Sequence, residues 1–328
     1  MRGLLLNADG SLLVRADVPE PVRGPDDALI GLRLAGICQT DLEMLRGYRP
    51  FQGVLGHEFV GVLLENTGPY QAGQRVVGEI NIACGTCDLC CEGLPSHCRK
   101  RTVLGIMGHP GVFSERFVLP ARNLHPVPDM VPDDVAVFTE PLAAALQITH
   151  VAHIQPGQRA VVVGAGRLGL LAAQVLRLTG RDLTVVARQD RAISLLRQWG
   201  IPFVDAREPG WQEHSSAVER GMAHVVVDCT GNASGFTLAL DLVRPRGTIV
   251  LKSTYADIPD VGLSRITVDE IQVVGSRCGP FAAALRLLNR GLVDVASLID
   301  RVYPLSEGKT ALDHAGQPGV LKVLLAPE

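Results

Sequence analysis

Along roughly the first 130 residues, short apolar-polar alternations such as Leu29–Leu34 and Val60–Glu65 are separated by Gly, Pro and Asp turns. That period-two pattern predicts a β-rich region with no helix longer than a few turns. The texture changes after Pro132. Val135–Ala152 has helical spacing and length, and Ala160–Val163 is a short continuous apolar run, which predicts a buried strand. Alternation then continues: a helix over Leu168–Leu178, a strand over Leu183–Val186, a helix over Ala192–Trp199, a strand over His224–Cys229, a helix over Ser234–Leu242 and a strand over Thr248–Lys252. Strands alternating with helices predict a parallel sheet covered on both faces. Beyond Gly279 the pattern predicts one helix, Phe281–Arg290, then short strands ending at Val320–Leu325. No internal repeat or low-complexity segment interrupts this order.

The 328 residues suffice for two domains, and 47% hydrophobic with 20% charged residues is an ordinary globular balance. A formal net charge of −3 and 4% aromatics leave neither a basic face nor stacking platforms, so no nucleic-acid partner is expected. The longest apolar stretches, near Val161–Leu178 and Val135–Ile154, are broken by Arg167, Arg177, Glu140 and His150, so no membrane span is expected. The opening MRGLLLNADG has too short an apolar run for a secretory signal, which makes the cytoplasm the expected location.

Eight cysteines change the picture. Cys84, Cys87, Cys90 and Cys98 stand in a C-x2-C-x2-C-x7-C run, in which two-residue gaps let neighbouring thiolates converge and a loop brings in the fourth. Four thiolates close a tetrahedron, so the predicted zinc site is structural. Cys91 is a spectator, and His97 competes with Cys98 for the fourth place. A second constellation is dispersed: Cys38 in GICQTD, His57 and Glu58 in GHEFVG, and Glu140 in TEPLAAA. A lone Cys is more often a small buried apolar residue. Together, though, these residues offer sulfur, nitrogen and oxygen donors for an open, catalytic zinc site.

Gly164-Ala-Gly166-Arg-Leu168-Gly169 follows a strand and opens a helix. In that context GxGxxG is a dinucleotide loop, with the pyrophosphate facing the helix N-terminus. The next strand lacks the acidic residue that clasps the ribose of NAD, and Arg188 follows Ala187 there. A guanidinium favours a 2′-phosphate, so NADP is expected, held by Arg188 and Arg191. The alternative is NAD, with Asp190 reaching the ribose.

In order along the chain, GICQTD, GHEFVG, the four-Cys loop, TEPLAAA, GAGRLG, DCTGN and GSRCGP make the sequence resemble the zinc-containing medium-chain dehydrogenases/reductases, in their polyol, threonine and glucose dehydrogenase-like branch. The resemblance implies an α/β protein in which a GroES-like β-rich catalytic domain (1–140 and 279–328) is interrupted by a Rossmann, doubly wound domain (141–278), with the active site in the cleft. It implies that Cys38, His57 and one carboxylate, Glu58 or Glu140, hold the catalytic zinc. Thr40 then stands at the proton relay and Asp41 near the ligands. Thr230, Ser253, Ser276 and Arg277, with the neighbouring Lys252 and Thr254, lie toward the cofactor, and Tyr48 and Phe51 border the substrate. Departures include Glu43 where a relay His is common, and a short loop over 66–75 with Gln74 in place of Asp. The implied activity is hydride transfer between a secondary alcohol, polyol or sugar and NAD(P), in a homodimer or homotetramer joined near Ser276. An NADPH-dependent aldehyde or ketone reductase carries the same motifs. A silent NADPH-binding sensor or scaffold is disfavoured by the presence of Cys38, Thr40 and His57.

Overall fold

A computed structural model describes residues 1–180, 182–211, 218–254 and 262–328. The chain divides into two compact units, Met1–Glu140 with Phe281–Glu328, and Pro141–Pro280.

The first unit is built on a seven-stranded sheet. Its main path runs Leu124–Pro126, Arg75–Gly78, Glu58–Leu63, Asp27–Gly36, Lys322–Ala326 and Ile299–Pro304, with Arg116–Pro120 also paired to Asp27–Gly36. Alternation in Asp27–Gly36 buries Ala28, Ile30 and Leu32 and turns Arg33 outward, where the register against Glu58–Leu63 shifts at a bulge. The returning tail strand is antiparallel to Asp27–Gly36, with Leu324 opposite Gly36 and Glu58 on the other side of Gly36. Residues from three distant parts of the sequence therefore meet at one end of this sheet.

The second unit holds a six-stranded, wholly parallel sheet: Phe203–Asp205, Asp182–Ala187, Arg159–Val163, Ala223–Asp228, Val243–Leu251 and Gln272–Gly275. Counted in chain order within the unit this is 3-2-1-4-5-6, the doubly wound order in which dinucleotides bind where the order reverses. The reversal lies between Arg159–Val163 and Ala223–Asp228. Val161, Val163, Val226 and Ile249 from the strands pack with Phe236 and Leu242 of the helix Ala233–Leu242 in a buried core.

Two expectations are corrected. The helix expected over Val135–Ala152 is two helices, Asp133–Ala136 and Thr139–Val151. Pro141 explains the break: its ring would strike the carbonyl of Val137 in a continuous helix, whereas proline is tolerated in a first turn. The tail contains a second helix, Gly308–Ala315, which buries only Gly308, Ala311, Leu312 and Ala315. Four small or single apolar positions make a weak periodic signal. The strands Phe203–Asp205 and Gln272–Gly275 and the helix Leu263–Val268 were likewise too short to be predicted. No helix among the described residues is long and apolar enough to cross a membrane.

Candidate active site and metal centres

Cys38 follows the strand Asp27–Gly36 and caps the helix Gln39–Leu45. Asp41, at the third helical position, accepts a hydrogen bond from the Cys38 backbone N–H through Oδ2 at 2.8 Å. Its other oxygen lies 3.2 Å from His57 Nδ1, and neither of these two atoms has another hydrogen-bond partner among the described residues. Asp41 is fully buried. One carboxylate thus fixes the cysteine backbone and faces one nitrogen of the imidazole, which leaves Nε2 for a metal. Burial pulls the His57 pKa down, but the Asp41 carboxylate and the Cys38 sulfur outweigh it and raise it well above the usual value.

Glu58 begins the next strand, and its carboxylate shares the cluster: ligand atoms of Cys38, His57 and Glu58 all lie within 4.8 Å of one another. A Cβ on Gly36 would collide with Glu58 Oε2, so this glycine makes room for the carboxylate. Lys322, the first residue of the tail strand, donates to Glu58 Oε2 at 2.5 Å and sits 5.6 Å from the Phe138 ring centroid. Both partners of this ion pair are buried. Sequence reasoning missed Lys322, because nothing local marks a lysine in a C-terminal strand as the partner of a glutamate 264 positions earlier. Glu140, in the first turn of Thr139–Val151, is not a member of the cluster.

The charges test whether a zinc ion fits. A thiolate Cys38 with the Asp41 and Glu58 carboxylates gathers three negative charges, two of them buried, and Lys322 returns one positive charge. A dication brings the balance to zero, and the sulfur, nitrogen and oxygen donors are those zinc takes in open sites.

The four-thiol loop fits a closed site. Cys84, Cys87, Cys90 and Cys98 offer sulfurs all within 4.8 Å of one another, and His97 is outside the group. Cys87 Sγ lies 3.5 Å from Cys90 Sγ and 3.8 Å from Cys98 Sγ. A tetrahedron with zinc–sulfur bonds of about 2.3 Å has edges of about 3.8 Å. Backbone N–H groups of Cys84 and Lys100 both point at Cys98 Sγ at 3.3 Å. Hydrogen bonds from Thr86 bring the Cys84 thiol down to about 6, while desolvation and then the Cys87 neighbour push Cys90 up to about 12. Without a cation, the first thiolate makes the next one harder to form. Arg99 clamps Asp88 through two nitrogens and closes the loop.

In the second unit Gly164 leaves its strand at φ +94°, a conformation that favours glycine, and Gly166 caps the helix Arg167–Arg177. Leu168 and Gly169 lie in its first turn, where a Cβ on Gly169 would strike the Gly164 carbonyl. Beside this loop, Thr230 donates through N and Oγ1 to the buried Asp228 at 2.9 and 2.8 Å. Lys252 Nζ donates to Ala144 O, Ser276 O, Ser276 Oγ and Arg277 O at 2.7–3.2 Å. It therefore ties the carboxyl ends of two strands to a helix. Ser253 follows Lys252 in a bend.

Arg188 is exposed just past the strand Asp182–Ala187, with Arg191 in the following helix. Ala187 is opposite Asp205, so the segments leaving both strands start side by side. The second of them carries Arg207, which binds Asp205 and also reaches Asp190 at 2.7 Å. Asp190, the alternative ribose ligand, is therefore already engaged by a cation. Arg207 went unnoticed in the sequence because the strand before it has only three residues.

Near the first cluster, Thr40 Oγ1 is 3.7 Å from Cys38 Sγ. Glu43 accepts from Gln39 and Arg46 at 2.8 Å. Tyr48 is partly exposed under the Arg49 guanidinium.

The buried Lys322–Glu58 pair generates a stability prediction. Lys322→Met strands a buried carboxylate, so the urea unfolding of the first unit should lose about 3–5 kcal/mol. A loss below about 1 kcal/mol, as for exposed pairs, would contradict the pairing.

Comparison with known proteins agrees with this geometry. The alcohol dehydrogenase GroES-like domain family matches residues 24–129, and the zinc-binding dehydrogenase family matches residues 168–290. The chain is 32% identical to the sorbitol dehydrogenase of Halalkalibacterium halodurans, with 94% of each covered. A zinc-binding dehydrogenase of Sinorhizobium meliloti, solved bound to NADP, superposes with a TM-score of 0.91 at 28% identity over 99% of each chain. An alcohol dehydrogenase of Escherichia coli, complexed with NADH, gives 0.89 at 27% identity, again over 99% of each chain. The chain belongs to the zinc-containing medium-chain dehydrogenases/reductases, NAD(P)-dependent oxidoreductases acting on CH–OH groups, in their polyol and threonine dehydrogenase branch.

Proposed function

We propose that this chain oxidises a secondary hydroxyl of a polyol or sugar-derived substrate, with NADP as the preferred hydride acceptor. The observation that carries the reading is the clustered Cys38, His57 and Glu58 donor set, its imidazole and carboxylate buried, with the Thr40 hydroxyl beside Cys38. The similarity to a sorbitol dehydrogenase over nearly the whole chain supports the substrate class.

In this reading Cys38, His57 and Glu58 hold the catalytic zinc. Lys322 takes one Glu58 oxygen and leaves Oε1 available, and Glu140 stands outside the ligand set. Zinc supplies a Lewis acid that lowers the pKa of the substrate hydroxyl. A bound nicotinamide would supply the hydride acceptor. Thr40 accepts the hydroxyl proton's hydrogen bond and passes its own proton onward, with Glu43 on the same helical face three residues later. Asp41 holds Cys38 and His57 in register throughout. Cys84, Cys87, Cys90 and Cys98 hold the structural ion. Gly164, Gly166, Leu168 and Gly169 receive the pyrophosphate, and Thr230, Ser276 and Arg277 border the cofactor. Arg188 reads the 2′-phosphate, Arg191 assists it, and Arg207 keeps Asp190 from competing.

A second copy is proposed along Gln272–Gly275, which ends the six-stranded sheet and exposes Val273. An unpaired edge of this kind needs cover. Light scattering should report a dimer that Val273→Lys converts to monomer, and a wild-type monomer would contradict the contact. The cytoplasm is the proposed compartment, because thiols read as metal ligands suit a reducing environment.

The direct test is initial-rate formation of reduced nicotinamide by zinc-loaded protein with polyols, sugars and simple secondary alcohols. Turnover should be strongest with polyols, and Thr40→Val should cut kcat by about 10²-fold or more with zinc content unchanged. Turnover confined to carbonyl reduction would instead favour the reductase. Arg188→Ala should raise KM for NADP by about tenfold to a hundredfold, the worth of one charge-assisted hydrogen bond, and leave KM for NAD unchanged. Equal effects on both would contradict the 2′-phosphate role.

A further inference from the structure

The carboxyl ends of the parallel strands carry the dinucleotide loop. The amino ends carry a cavity of about 270 Å³ with a chemistry that hydride transfer does not use. It is lined by His153, Gln158, His224, Arg244, Arg246 and Gln272, and none of its described lining residues is acidic. Val225, Thr248 and Gln272 are opposite one another across three adjacent strands, so this is a single row of the sheet. Arg159 begins the neighbouring strand, and its backbone N–H donates to His224 Nδ1 at 3.2 Å. The proton of the neutral imidazole is therefore on Nε2, as a donor. Burial, and then the charges of Arg244 and Arg159, hold the His224 pKa below the usual value.

The guanidinium groups are incompletely satisfied. Arg244 Nε and Arg159 Nη1 are buried with no hydrogen-bond partner among the described residues. Arg159 has an exposed acidic neighbour, Asp182, on its Nε at 3.4 Å, and Arg246 has the exposed Glu270 at 3.2 Å. Arg244 has no ion-pair partner among the described residues. Arg244, Arg246 and His224 line a polar cavity whose described lining carries no carboxylate, a setting that favours an acceptor-rich anion.

We propose that this cavity binds a small phosphate-bearing anion, at the opposite end of the sheet from the cofactor loop. Phosphate fits better than a planar carboxylate, because His224, Arg244 and Gln272 line the cavity from three different strands and a tetrahedral group offers acceptors in several directions. The volume lies just below the range of ordinary ligand pockets, about 300–1,000 Å³, which suits a phosphate with a short organic moiety and not a nucleotide.

The test uses full-length, zinc-loaded protein saturated with NADPH, so that the pyrophosphate site is blocked. Inorganic phosphate and glycerol phosphate are titrated separately by calorimetry in a buffer free of phosphate and sulfate. Expected is saturable binding at one per chain, weakened at least about tenfold by Arg244→Gln and by Gln272→Glu, which sets a carboxylate at the cavity from the sheet edge. Tighter binding of glycerol phosphate identifies a phosphate monoester as the ligand, and equal binding identifies phosphate itself. If Arg244→Gln fails to fold, judged by circular dichroism and zinc content, Gln272→Glu alone decides. No saturable binding of either probe up to about 10 mM, or binding unchanged in the folded variants, overturns the proposal.

Discussion

The Asp41 carboxylate is the constraint around which the first unit is arranged. Burying a charge is expensive unless it is paired and hydrogen-bonded. Asp41 offsets that cost by capping the helix that begins after Cys38 and by facing His57. The two proposed metal donors are thereby held by one group instead of by two independent side-chain rotamers. Glu58 adds a second buried carboxylate, and the fold answers it with Lys322 from the far end of the chain. The tail strand has to return to the N-terminal sheet for that cation to arrive. A dication would neutralise the residual negative charge, which would link metal affinity to the stability of this unit.

The second unit solves a different electrostatic problem. Its parallel sheet collects a glycine loop and a helix N-terminus at one end, where backbone N–H groups face phosphates. Buried Asp228 holds Thr230 beside that loop, and Lys252 ties the neighbouring strand ends together through four oxygens. Arg207 pairs with Asp190, and Arg188 is exposed just past its strand. At the amino ends, Arg244, Arg246 and His224 line a cavity whose described lining has no acidic residue, an imbalance that the dehydrogenase reaction leaves unexplained.

Much of this was legible in the sequence because the signals were local. Two-residue spacings marked Cys84, Cys87 and Cys90, and a strand followed by glycines at fixed offsets marked Gly164–Gly169. Buried parallel strands such as Arg159–Val163 are continuous apolar runs, so they stand out. What was missed was non-local or short. Lys322 acquires meaning only through a partner 264 residues away, and Arg207 only because Ala187 is opposite Asp205. The helix Gly308–Ala315 has too few apolar positions to show a period, and Pro141 cut one apolar stretch into two helices. The choice between Glu58 and Glu140 could not be read from type or spacing, since both are carboxylates beside recognisable motifs. Only the placement of Glu58 in the Cys38–His57 cluster separates them.

The claim that Asp41 organises the catalytic metal site is most directly tested by competitive zinc titration of Asp41→Asn against a chromophoric chelator, with the two zinc ions resolved. Substitution of a group that orients metal ligands should weaken one zinc by about tenfold to a hundredfold and leave the four-thiolate zinc unchanged. Two zinc affinities equal to those of the unaltered protein would contradict the account.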